Sequence, residues 1–238
     1  MIDTIHRLKH WMLFIPLILP TLIQYGLQFA YMGKLQAWQQ EMIESEGEMD
    51  FMLPDLEAYS SYVIAFILIT VISYGVSIAW MWSIGGGLRK YLPTGTNLKL
   101  GRFKFTLIFQ SLAYGAMLVG GYLVFQFMVD LFPTINASDG SPEIFQNDDF
   151  WQNVLIFWGI FMVLALALFA SVIYSAYFVG KTLKSIELGR PAKGGEVIGY
   201  LILTVLLFIG IWMMQPKVNR LVETGTMEKP GDDTVWGE

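Results

Sequence analysis

The chain has 238 residues, 55% of them hydrophobic and only 15% charged, where soluble domains carry roughly a quarter charged. The absence of cysteine excludes disulfides, thiolate metal sites and cysteine nucleophiles. A net charge of −5 hides a segregation of acids from bases along the chain, and eight Trp, 11 Tyr and 17 Phe suit membrane–water interfaces.

Arg7 and Lys9 open the chain and are followed by Trp11–Gly33, a stretch without a charge. It is longer than a signal-peptide core and no small-residue cleavage pattern follows, so it reads as a retained span. His6 and His10 stand one helical turn apart, a spacing that can hold a metal, but they read as interfacial residues beside Trp11; no metal or cofactor is expected. The loop of residues 34–59 then gathers Glu41, Glu44, Glu46, Glu48, Asp50, Asp55 and Glu57 against Lys34 alone. A short helix up to Glu48 is expected in it, with Phe51, Met52, Leu53 and Leu56 on the membrane surface or under a lid.

The second span, Tyr62–Gly87, ends in Trp82-Ser-Ile-Gly-Gly-Gly-Leu-Arg-Lys-Tyr-Leu-Pro-Thr-Gly95. A phosphate cradle would need a full Gly-rich loop on a strand–helix unit. The stretch reads instead as a membrane exit, with Trp80 and Trp82 near the interface and Arg89 and Lys90 among headgroups. Lys99, Arg102 and Lys104 complete a loop with no acid. The third span is Phe105–Val129. The loop of residues 130–150 holds Asp130, Asp139, Glu143, Asp148 and Asp149 and no base, together with an Asp139-Gly140 turn and an Asn136-Ala-Ser138 sequon. The fourth span, Gln152–Gly180, leads into Lys181, Lys184, Arg190 and Lys193. Its Val179-Gly-Lys-Thr182 carries only the last residues of a nucleotide-binding loop.

About 20 residues at 1.5 Å each cross a hydrocarbon slab of about 30 Å. The first four stretches meet that length. The fifth, Val197–Met214, is near the lower limit and is followed by Lys217 and Arg220. It is either a span or a re-entrant hairpin bent near Gly210; bases prefer the inside, which favours the hairpin. The tail of residues 222–238 reads as polar and flexible. The positive-inside rule gives one answer at four boundaries: N-terminus cytoplasmic, acidic loops 34–59 and 130–150 outside. The expected fold is thus all-α, a polytopic four-helix transmembrane bundle with a fifth short element, forming one domain over residues 1–221.

A shift of 95 residues aligns candidate repeats 7–89 and 102–184. Arg7-Leu-Lys9 falls on Arg102-Phe-Lys104, and Gly85-Gly-Gly-Leu-Arg89 on Gly180-Lys-Thr-Leu-Lys184. Chance apolar matches and bases placed by topology would produce the same pattern, so duplication stays open. Lys181-Thr-Leu-Lys-Ser-Ile-Glu-Leu-Gly189 and Ile209-Gly-Ile-Trp-Met-Met-Gln-Pro-Lys-Val-Asn219 resemble a family of small bacterial polytopic integral membrane proteins with no assigned activity. In that family a Pro often precedes Ile-Gly-Ile-Trp; here Phe208 stands in its place. The resemblance implies a bacterial inner membrane and supplies no mechanism.

The candidate functional residues fall into three sets. Gln24, Gln28, Gln110, Tyr114 and Gln126 either bond helix to helix or line a polar path. Arg89, Lys90, Arg102, Lys104, Lys181 and Lys184 face anionic lipid headgroups at about 1 kcal/mol each. They flank spans without a reading module, so no nucleic acid is expected. Ala167, Ser171 and Ser175 form a small-residue packing stripe. No base lies near the intramembrane serines, which sets catalysis aside. The sequence therefore points to a non-enzymatic accessory or assembly subunit that binds membrane lipids and either other subunits or itself. The alternative is a small transporter or channel between the two helix pairs.

Overall fold

The computed structural model describes Ile5 and residues 8–44, 56–137 and 148–227. The side chains of His6, His10, Asp130, the apolar group at residues 51–56 and the sequon at residues 136–138 lie outside the described residues, as does the Asp139–Gly140 turn. The described chain is helical: α1 His10–Glu44, α2 Leu56–Gly87, α3 Leu100–Ala137, α4 Asp148–Leu188, α5 Ile198–Val205 and α6 Leu207–Thr224. There is no strand among the described residues. The first four helices are long and apolar enough to cross a membrane. Each extends the apolar stretch read from sequence; α4, for example, runs for 41 residues.

Helix persists through prolines because neighbouring helices take over freed backbone groups. Pro20 has no N–H to give the Pro16 carbonyl four residues back. The Ser73 hydroxyl of α2 approaches that carbonyl at 3.5 Å instead.

The chain divides into two compact units, and α1–α4 each contribute a stretch to both. The first unit comprises residues 1–19, 72–112 and 167–238. Its core contains Trp80, Ile84, Leu88, Phe103, Leu107, Val179, Leu183, Ile211, Met214 and Leu221. Phe103 stacks on Phe178 with ring centroids 4.2 Å apart. The stack is possible because Gly85 lies beneath it: a Cβ there would enter the Phe103 ring. Gly86, its neighbour in the glycine run, faces open space. One glycine of the run is thus a packing device, as its aligned partner Gly180 is toward the backbone of Leu201, 3.1 Å from where a Cβ would stand. The returning helices keep this register: Ile84 and Val179, and Leu88 and Leu183, are all fully buried. The first helices do not, since Leu13 is buried and Ile108, its partner in the shift, is exposed.

The second unit comprises residues 20–71 and 113–166. Ala113 and Leu131 are its buried hydrophobics among the described residues, while Leu155, Ile160, Val163 and Leu166 are largely exposed. Phe127, Phe150 and Trp151 form a chain of ring contacts. Such apolar surface is incompatible with water and suits lipid.

The fifth hydrophobic stretch is broken. Helices α5 and α6 meet at 117°, at Leu206 and not at Gly210. Leu206 leaves helical geometry with φ −87° and ψ 59°. Its N–H still bonds Ile202, and its carbonyl accepts from Ile209 and Gly210, so the break strands no backbone group there. Gly210 lies in the crook, where a Cβ would overlap the Leu203 carbonyl. The glycine permits the close return of α6; it does not make the bend. Helix α6 continues to Thr224, and Met227 is buried.

Candidate functional site

Two polar clusters of the first unit converge on α6. The first is a pin between α6 and the segment that enters α1. Gln215, one turn above Asn219, accepts from the Trp80 indole N–H at 2.9 Å. Its amide nitrogen lies 3.2 Å from the carbonyls of Ile5 and Leu8 and 2.9 Å from Asn219 Oδ1, three acceptors that share its two hydrogens. Asn219 Nδ2 donates to Leu8 at 3.1 Å. The segment that enters α1 and the second half of α6 are therefore at the same end of this unit.

The second cluster centres on Glu187, whose side chain is 5% exposed. Lys184 lies 2.8 Å from one carboxylate oxygen and Lys217 2.8 Å from the other. Lys217 also donates to the Tyr200 hydroxyl at 3.2 Å and sits over the Tyr200 ring. Glu187 lies beyond the apolar stretch that closes at Gly180. Burial pushes its carboxyl up, but hydrogen bonds from Lys184 and Lys217, with their charges, outweigh this and hold it below the usual carboxylate range. The ion pair joins the foot of α4 to α6, so the α5–α6 element returns to the end from which it departs.

The connection into α5 is fixed in the same manner. Buried Ser185 accepts from the Ala192 N–H at 3.0 Å. Glu196 receives Arg190 at both oxygens and the Lys193 N–H at 2.8 Å. Arg190 foremost, then that N–H, brings the Glu196 carboxyl down to about 2.

Lys184, Glu187, Glu196, Gly199, Tyr200, Leu203, Met213 and Lys217 enclose a hollow of about 250 Å³. Of these, Lys184 is a candidate lipid contact from the sequence and Lys217 a topology signal. Glu187 stood in a run of bases and was passed over, although its three-residue spacing from Lys184 on a helix was a usable signal.

The residues singled out from sequence are scattered. Gln110 is fully buried and its amide nitrogen donates to Ser175 Oγ at 2.8 Å, which joins a member of the glutamine set to a member of the small-residue stripe. The Gln110 carbonyl oxygen is buried without a hydrogen-bond partner. Gln24, Tyr114 and Gln126 are half-buried and Gln28 is exposed. Ser171 and Ser175 are covered by the protein's own helices, whereas Ala167 is exposed. Arg89, Lys90, Arg102 and Lys104 are exposed and Lys181 is half-buried. Several bases lie over aromatic rings, as Lys104 over Trp82 at 5.3 Å and Lys181 over Tyr177 at 5.7 Å, an arrangement common at interfaces.

Compared with family models, curated proteins and solved structures, the chain finds no match. The functional reading rests on its own residues.

Proposed function

We propose that the chain is a non-enzymatic integral membrane protein of the bacterial inner membrane, an accessory or assembly subunit that works by binding lipids and other membrane subunits or a second copy of itself. Its N-terminus and basic loops face the cytoplasm, and the acidic loops 34–59 and 130–150 lie outside. The α5–α6 element enters the membrane from the cytoplasmic side and returns.

What carries this reading is the engagement of interior polar groups with one another. Trp80, Gln215 and Asn219 tie the N-terminal segment to α6, and Glu187 holds two lysines. These groups stiffen a helical scaffold. The exposed apolar tip of the hairpin, with Ile202, Val205, Leu206 and Phe208, fits a leaflet interior. The in-register burial of Ile84 with Val179 and of Leu88 with Leu183 is in keeping with a duplicated returning helix. Purification in mild detergent followed by identification of co-purifying protein is the test. A partner or a homo-oligomer is expected; a chain that arrives alone and monomeric contradicts the subunit role.

The unpartnered carbonyl oxygen of Gln110 favours the second reading, a polar path. A Gln110→Cys variant separates the two. Protection from a water-soluble thiol reagent fits packing, and rapid modification fits a path.

A further inference from the structure

The hollow between α4, α5 and α6 has an unbalanced supply of hydrogen-bonding groups. Its carboxylates are each engaged: Glu187 by Lys184 and Lys217, Glu196 by Arg190 and the Lys193 N–H. Its donors are not exhausted. An ammonium group has three N–H bonds. Lys217 gives two of them to Glu187 and Tyr200, and Lys184 gives one to Glu187. The Tyr200 hydroxyl accepts from Lys217 and turns its own hydrogen to Glu187, so the spare donors are those of the two lysines. With Arg190 set against Glu196, the two lysines outweigh Glu187 by one positive charge.

Leu203 and Met213 supply its apolar lining. Met213 is 55% exposed and continues into the exposed apolar surface of α6 at Ile209. Gly199 leaves the hollow open, since a Cβ there would meet nothing within 4 Å. A ligand that fills it must accept hydrogen bonds, carry about one negative charge and have a long apolar part beside the charge.

We propose that this hollow binds the phosphodiester headgroup of an anionic phospholipid, with Lys184 and Lys217 donating to the phosphate and an acyl chain lying along Leu203 and Met213. A phosphodiester is acceptor-only where it meets the protein and carries one negative charge, so it complements the free donors without competing for Glu187. The glycerol and acyl portion follows the apolar wall toward the hairpin tip. Free inorganic phosphate shares the headgroup chemistry but makes no use of that wall. The proposal rests on the reading of the chain as a membrane protein with its bases at headgroup level, and it adds a defined site to that general attraction.

The test is native mass spectrometry of the detergent-purified full chain titrated with phosphatidylglycerol or phosphatidylcholine, for wild type, Gly199→Leu and Lys217→Gln. Wild type is expected to prefer phosphatidylglycerol by about fivefold or more, the factor that one well-placed lysine supplies. Gly199→Leu fills the hollow without touching a charge, and it should abolish the preference while leaving the thermal midpoint without lipid no lower than wild type, since a helical glycine is replaced. Lys217→Gln should reduce the preference in the same direction, which keeps the test open if the leucine variant fails to fold. Equal binding of the two lipids by wild type, an undiminished preference in a folded variant, or displacement of the lipid by millimolar inorganic phosphate would each overturn the proposal. Total co-purified phospholipid reports separately on the membrane reading: a chain that carries none speaks against that reading, and one that carries lipid indifferent to these substitutions speaks against the site alone.

Discussion

The two units of this chain are built from the same four long helices and are held by different physics. The first contains every Lys and Arg except Lys34, and all the buried polar side chains among the described residues, from Ser83 and Gln110 to Glu187 and Gln215. The second is rich in acids by sequence and buries little beyond Ala113 and Leu131 among its described hydrophobics. Lipid is as apolar as leucine, so apolar contact alone gives helices little reason to choose one partner over another. Hydrogen bonds and close fits around small residues do give such a reason. The first unit has both, and the contrast teaches where the specificity of this fold resides.

The comparison can be broken most forcefully at Gln215. Gln215→Leu removes the acceptor of the buried Trp80 N–H and the amide whose two hydrogens serve Ile5, Leu8 and Asn219 Oδ1. A loss of about 3 kcal/mol is expected in reversible unfolding in micelles. A loss below about 0.5 kcal/mol, within the range of ordinary surface changes, would mean the pin does not organise the unit.

The Glu187 cluster comes next. Glu187→Gln should cost about 2 kcal/mol, since two lysines then face each other without their carboxylate. The pH dependence has a definite sign. The folded carboxyl titrates below its ordinary value, so its stabilisation is complete above the unfolded value of about 4.3 and is lost as pH falls through the folded one. Wild type should lose stability below about pH 4 more steeply than Glu187→Gln. Equal acid profiles for the two proteins would remove Glu187 from the account.

The glycine run offers a finer contrast within a single turn. Gly85→Ala should destabilise by about 1 kcal/mol, because the Phe103 ring must leave its stack on Phe178. Gly86→Ala meets open space and should stabilise the helix by about 0.5–1 kcal/mol. Equal effects at the two positions would show that the Gly85 contact carries no weight. In the second unit, Leu155→Ala on the exposed face of α4 should change stability by less than about 0.5 kcal/mol. A loss of about 2 kcal/mol there would show that this face is packed against protein and not lipid.

Apolar length and the placement of bases are local properties, which is why the four long helices were legible in the sequence. The fifth stretch was half legible. Lys217 and Arg220 argued for a return, and Gly210 was the natural place for a bend because glycine weakens helices. The bend is at Leu206, where no residue type announces it, and Gly210 serves the contact beside it. The candidate residues suffered from distance along the chain. Gln110 and Ser175 were each noticed, but nothing local pairs residues 65 positions apart. Gln215 stands in the resembling motif with no local sign of its role, and its partners Ile5 and Leu8 lie at the other end of the sequence. Glu187 was masked by the bases around it, since a net-charge reading of a loop averages away the carboxylate that organises it.

The central claim is that the segment entering α1, the end of α6 and the α5–α6 hairpin belong to the basic face. With no native cysteine, single-cysteine labelling reports on it directly. Lys90→Cys, Arg220→Cys and Asp149→Cys, all at exposed positions, can be treated with a membrane-impermeant maleimide in sealed vesicles of known orientation. The account predicts that positions 90 and 220 react from one side and position 149 from the other. Labelling of position 220 together with position 149 would contradict it, because α5–α6 would then be a fifth span.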